Sequence, residues 1–232
     1  KHFNNQRDFI PYAREAGYKG IVMTSWSTTG LYGFTWDVNY DVLDMKQIRN
    51  TYPLSGFRIL VASYAQAINN KEPLDVKPFI IKYATERFGL TNTESQNFLE
   101  ALITPQELIK DGIPAKGNSI NDLLNITEKI KKTLYDLSPQ KNKMEFEHFR
   151  LMIDLREYYL RYQELKSTYN SPYFSRDKAK EMLPQLELLI KQSKKLDKRF
   201  YSLNKEFLYK SEIEQQNEFR RMDLINIYNR IV

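Results

Sequence analysis

The chain of 232 residues contains no cysteine. Disulfides, thiolate catalysis and cysteine-ligated zinc are thereby excluded, while the compartment is left open. Glycine and proline are scarce, at 8 and 9 residues, too few to supply the turns of an all-β fold, so a mainly α chain is expected. Histidine occurs twice, as His2 and His148. Neither has companions at ligand spacing beyond Glu145 and Glu147 on an ordinary charged helix, so both read as solvated or capping residues and no metal site is expected. No apolar run reaches the roughly 18 residues of a membrane span. No Gly-x-Ser-x-Gly elbow and no phosphate-binding glycine loop occur, and no cofactor is expected. The chain opens mid-pattern at Lys1-His-Phe, with neither an initiator Met nor a signal peptide, and reads as a piece of something longer.

What is present is apolar and charged in helical proportion. Hydrophobic residues make up 41% and aromatic ones 13%, which argues against disorder despite 28% charged residues. The net charge of +6 raises the question of a nucleic-acid partner. The basic residues are interspersed with 29 acidic ones instead of forming a tract, so solvated helix faces account for them and no nucleic acid is expected.

The organising stretch is residues 20–56. GIVMTSW at 20–26 is the one buried-strand pattern, with Ile21, Val22 and Met23 between Gly20 and a Ser/Thr/Gly cluster. Before it, residues 5–16 make a short amphipathic helix with Phe9, Ile10, Tyr12, Ala13 and Ala16 as its apolar set and Gly17 as its C-cap. Helix, turn and buried strand make half of a parallel α/β repeat.

Further on, Leu54, Phe57, Leu60, Val61, Tyr64, Ala65 and Ile68 mark one helix, and residues 75–88 a second, capped by Gly89. Thr91 and Glu94 have capping-box spacing; so do Thr104 and Glu107, which predicts helices at 92–103 and 105–111. The Gly112 to Gly117 loop is the expected boundary between a unit of residues 1–112 and one of 118–232. The second unit reads as an antiparallel helical bundle. Leu123, Ile126, Ile130, Leu134 and Leu137 make its first stripe, and residues 144–168, with Tyr158, Tyr159 and Tyr162, its next helix. Leu186, Leu189, Ser193, Leu196, Phe200, Leu203 and Phe207 follow heptad-like steps, with Pro184 expected to start or kink that helix. A last helix at 212–231 should bury Phe219, Met222, Ile225, Tyr228 and Ile231.

Two groups of residues in the 20–56 stretch could carry chemistry. Asp37, Asp41 and Asp44, about a helical turn apart, either share one face as acid and base or serve turns and a helix start. Tyr32, Phe34 and Trp36, in a polar loop following Trp26, either offer flat faces to a sugar ring or form a small hydrophobic cluster of their own.

GIVMTSW, its aromatic loop, and DMKQIRNTYPLSG at 44–56 leading into a helix resemble the last strand–loop–helix unit of family 20 glycoside hydrolases, the β-N-acetylhexosaminidases and their relatives. The likeness covers roughly residues 5–110; the helical remainder is similar to a C-terminal extension by position and pattern. The resemblance implies a (β/α)8-type barrel that cleaves terminal N-acetylhexosamines with the substrate's own acetamide as nucleophile. It also implies an extracytoplasmic location and an acid/base Glu in an Asp-Glu pair on barrel strand four, to which nothing here corresponds. Trp26 matches the last-strand tryptophan that walls the sugar subsite. Thr28 stands where many members have a glutamate that binds sugar hydroxyls, which points to an altered substrate or a non-catalytic relative. The expected substrate-binding set is therefore Trp26, Thr28, Tyr32, Trp36 and Asp37, with no catalytic residue. The partners are a glycan and the upstream catalytic barrel of the same chain. The alternative is a helical protein-interaction or carbohydrate-binding module without catalysis.

Overall fold

A computed structural model describes residues 2–22 and 54–232, apart from 105, 106, 108 and 111. Among them the elements are α1 (His2–Glu15), α2 (Leu54–Asn69), α3 (Val76–Phe88), α4 (Asn92–Ile103), β1 (Ile109–Lys110), β2 (Ile113–Pro114), α5 (Ile120–Asp136), α6 (Lys143–Tyr169), α7 (Arg176–Asn204) and α8 (Lys210–Ile231). The chain is mainly helical, as expected. The only strands among the described residues are the two of a short antiparallel hairpin. Gly20, Ile21 and Val22, where the strand of a barrel unit was expected to begin, belong to no sheet, and the remainder of that stretch lies outside the described residues.

Local signals place several helix ends. The Thr91 hydroxyl accepts from the Glu94 N–H, and the Glu94 carboxylate accepts from the Thr91 N–H at 2.9 Å. Ser119 and Asp122 repeat the arrangement at the start of α5. Gly89 adopts φ +67 after α3, the left-handed turn that a side chain disfavours. The neighbouring Phe88 carbonyl accepts from the N–H groups of Gln140 and Lys141.

Among the described residues of 105–111 the expected helix is not present; Ile109 and Lys110 form a strand instead. The Glu107 side chain is buried and accepts from the Lys116 N–H and the Asn118 amide, so it is not available as a cap. Lys110 pairs with Ile113 across the Asp-Gly dipeptide, a strong hairpin signal that the capping-box pattern obscured. Pro184 does not start α7. That helix begins eight residues earlier at Arg176, with Ser175 accepting from the Lys178 N–H.

Three corrections concern which face is buried. On α2, Ile59, Ser63 and Ala67 face inward while Val61, Ala65 and Ile68 are exposed, because small residues at 63 and 67 let α1 approach closely. On α8, Ile213, Gln216, Asn217, Leu224 and Ile227 are buried, and the expected Phe219, Met222, Ile225, Tyr228 and Ile231 lie only at the rim. The stripe on α7 is buried at Leu186, Leu189, Ser193, Phe200 and Leu203 but ends there. Phe207 lies beyond the helix and is 58% exposed.

The bundle helices run antiparallel. Arg150 of α6 reaches the Leu134 and Leu137 carbonyls near the end of α5, while Lys131 and Glu128, earlier in α5, pair with Glu157 and Arg161, later in α6. Arg199 of α7 bridges Glu147 and Asp154 of α6, and Asp197 takes Arg220 and Arg221 of α8. One apolar cluster has members on both sides of 112–117. Phe88, Phe98, Phe146 and Phe149 meet edge-on at 5.1–5.9 Å between centroids, joining α3 and α4 to α6. A second cluster gathers Ile109, Leu124, Tyr159, Leu186 and Leu224 at the other end of α6.

Candidate functional site

The geometry nearest the sequence-named segment is that of α1, the residues leaving it, and α2. Helix α1 ends in a Schellman turn: Gly17 adopts φ +79, its N–H donates to the Arg14 carbonyl, and the Tyr18 N–H donates to the Ala13 carbonyl. Ile10 and Ala13 are buried against α2, and Phe3 packs its ring 6.1 Å from Phe79 of α3. Phe9 and Tyr12, counted with the apolar set from sequence, are exposed, since residues one and two positions from Ile10 point to other sides of a helix.

Hydrogen bonds fix the direction of this pair. Near the start of α1, Gln6 donates to the Leu60 carbonyl at 3.1 Å and meets the Ser63 hydroxyl. Near its end, Arg14 donates to the carbonyls of Ala67 at 3.2 Å and Ile68 at 2.6 Å, and to that of Asn70. Residue number rises together along both helices, so α1 and α2 are parallel. The end of α1 and the start of α2 therefore lie of the order of 20 Å apart, so the chain leaving α1 has to turn back. Its first described residues already do so. The Ile21 carbonyl accepts from the Tyr64 hydroxyl at 2.5 Å, one turn back from the Ile68 level at which α1 ends.

Between α1 and this returning chain lies a cleft of about 680 Å³, walled by Phe9, Tyr12, Ile21, Val22 and Tyr64, with Asn5, Gln6 and Asp8 as polar lining. Asp8 is held by Arg7 at 2.6 Å, a hydrogen bond that lowers its carboxyl below the ordinary range. It is an anionic acceptor, not a proton donor. The cleft offers a surface for a flat or amphipathic group, and among its described residues there is no acid/base pair.

The residues named from sequence for substrate binding, Trp26, Thr28, Tyr32, Trp36 and Asp37, lie outside the described residues, as do Asp41 and Asp44. What sequence reading missed is Arg14 and Tyr64, which hold the cleft's two sides in place. Their signal was weak, since each sits on a helix as one more charged or apolar residue.

Elsewhere the titratable groups serve packing. His148 is buried, contrary to the solvated reading, and burial drives its imidazole down to about 4. The adjacent Glu145 is taken by Arg87 at 2.6 Å, and Glu147 by Arg150 and Arg199. Arg156 is 1% exposed and donates to the Glu107 carbonyl at 2.7 Å; burial pulls its guanidinium down to about 10. Burial likewise raises the Tyr158 and Tyr162 hydroxyls, the latter against Asp223. Among the described residues no cluster of three His, Asp or Glu side chains could hold a metal ion, and no helix is long and apolar enough to cross a membrane.

No protein-family model matches the chain, and neither a curated protein nor a solved structure is similar to it.

Proposed function

We infer that this chain is the C-terminal portion of a carbohydrate-active glycoside hydrolase, similar to the family 20 N-acetylhexosaminidases, and that it supplies a wall of the sugar subsite but not the acid/base. The observation that supports this is the parallel packing of α1 on α2, with the chain at Ile21 already running back alongside them. Consecutive helices of a (β/α) repeat are parallel because a strand returns the chain between them. Consecutive helices of an up-and-down bundle alternate instead, as α5 to α8 do here.

On this reading Trp26 sits at the C-terminal end of the last barrel strand and stacks on a pyranose ring, with Tyr32 or Trp36 closing the same pocket and Thr28 and Asp37 at its polar edge. The upstream part of the same protein contributes the remaining strands and the catalytic carboxylates, and an extracytoplasmic location goes with such a substrate.

The test is Trp26→Ala in the full-length protein, assayed on an aryl N-acetylglucosaminide. Hydrolysis should fall by at least about 10-fold with thermal stability unchanged, because a pocket wall is lost and core packing is not. Unchanged turnover would remove the subsite assignment. Turnover by residues 1–232 alone would remove the claim that the acid/base lies elsewhere.

A further inference from the structure

Helix α7 carries an excess of positive charge that the fold leaves open to solvent. It has Arg176, Lys178, Lys180, Lys191, Lys194, Lys195, Lys198 and Arg199 against Asp177, Glu181, Glu187 and Asp197, so 8 − 4 = +4 of the chain's +6. Tertiary contacts then sort these charges. Arg199 is drawn inward to Glu147 and Asp154 of α6. Asp197 is taken by Arg220 and Arg221 of α8, and Glu187 accepts from the Tyr228 hydroxyl. What stays outside is Lys191, Lys194, Lys195 and Lys198, all exposed and none in an ion pair among the described residues.

Their spacing makes them a patch. Steps of three and four put each lysine beside two others on one helix face, with neighbouring Cβ atoms about 5–6 Å apart. Exposed Leu188 lies one turn before the patch and half-exposed Tyr201 one turn after it. On α8, Glu212, Glu214 and Asp223 are engaged by Tyr209, Lys210 and Tyr162, which leaves Glu218 as that helix's open carboxylate among the described residues. Four like charges at helical-neighbour spacing repel one another, and an anion laid along the face relieves that repulsion.

We propose that the Lys191–Lys194–Lys195–Lys198 face of α7 binds an anionic glycan, a polysaccharide bearing carboxylate or sulfate groups, and so holds the protein on its substrate. This extends the glycosidase reading and rests on it for the choice of polymer. Ammonium groups clustered on one helix face, with no forked arginine among them, suit spaced point charges along a sugar chain better than the bidentate recognition typical of phosphate. Tyr201 adds a flat face for a sugar ring at the edge of the patch.

The experiment is a titration of residues 1–232 with a heparin oligosaccharide, a neutral dextran and a single-stranded oligonucleotide matched to heparin in charge. The heparin should bind, weaken at least about 10-fold between low and physiological salt, and bind at least about 10-fold more tightly than the oligonucleotide, while dextran should not bind. The variant K191Q/K194Q/K195Q/K198Q should lose heparin binding about 10-fold or more, and because all four positions are exposed its melting temperature should hold or rise. Undiminished heparin binding by the variant overturns the proposal, and equal or tighter oligonucleotide binding overturns the choice of glycan. Hydrolysis of an aryl N-acetylglucosaminide by the full-length protein is read in parallel. Its loss through Trp26→Ala, but not through the lysine changes, separates the subsite reading from this one.

Discussion

The guanidinium of Arg14 donates to the Ile68 carbonyl at 2.6 Å, across the interface between α1 and α2. The last carbonyls of a helix have no partner within it, and α2 has neither a glycine cap nor a basic residue in its last turn. Arg14 takes that role from the neighbouring helix, from within the Schellman turn that ends α1.

Replacing Arg14 with methionine keeps the length of the stem and removes the donors. We expect a loss of about 1–2 kcal/mol in urea unfolding of the full chain, since hydrogen bonds from a charged group are worth more than neutral ones but these are partly exposed. Exchange of the α2 C-terminal amides should quicken selectively. A loss below about 0.3 kcal/mol would show that water replaces the guanidinium at no cost.

Two glycines separate backbone conformation from space. Gly112 and Gly117 both have positive φ, +85 and +86, but a Cβ at 112 would meet the Ser167 backbone at 2.6 Å, whereas one at 117 meets nothing within 4 Å. Gly117→Ala should cost about 1–2 kcal/mol from conformation alone. Gly112→Ala should cost at least about 2 kcal/mol more, because α6 must move away from the hairpin and the Gly112 N–H loses Gln163. Equal costs would mean that the hairpin does not lie against α6.

His148 predicts a pH dependence. Its ordinary value of 6.5 is pushed down to about 4 by burial, opposed by Glu145 and Glu147. The unfolded chain therefore binds a proton between pH 6.5 and 4 that the folded chain refuses, so stability falls as pH drops through that window. The loss is on the order of 3 kcal/mol. Glu94 and Asp122, whose carboxyls are held below the ordinary range by their caps, add losses only at lower pH. His148→Gln should flatten unfolding free energy between pH 6.5 and 5; a slope unchanged in that variant would rule the histidine out.

Phe200 and Phe207 belong to one sequence stripe and differ in the structure. Phe200 is buried under the Arg220 guanidinium, 4.7 Å from its ring centroid. Truncation to alanine should cost about 3–5 kcal/mol. Phe207→Ala should cost under about 0.5 kcal/mol. A similar loss at both positions, measured by denaturant unfolding, would mean that the stripe is buried along its whole length.

Much of this architecture is legible in the chain itself, because the signals are local. The Thr91–Glu94 and Ser119–Asp122 boxes, the glycines at 17 and 89 and the three- and four-residue apolar steps act within a few residues of each other. They set helix starts and stops before any long-range contact forms. What the tertiary structure decided depends on which neighbour a face meets. Leu60 and Ser63 are equally placed on α2, but only a small residue at 63 admits Gln6 of α1. The stripe on α8 is turned because Arg220, which also donates to the Asn217 side-chain oxygen, must reach Asp197 and Phe200. Glu107 looks like a cap three residues after Thr104, yet the Lys116 and Asn118 donors beyond the hairpin hold it instead. The parallel setting of α1 and α2 could not be read from either helix, since a helix has the same pattern whichever way its neighbour runs. Nor could the lysine patch on α7, which sequence mixes with acids that folding assigns to other partners.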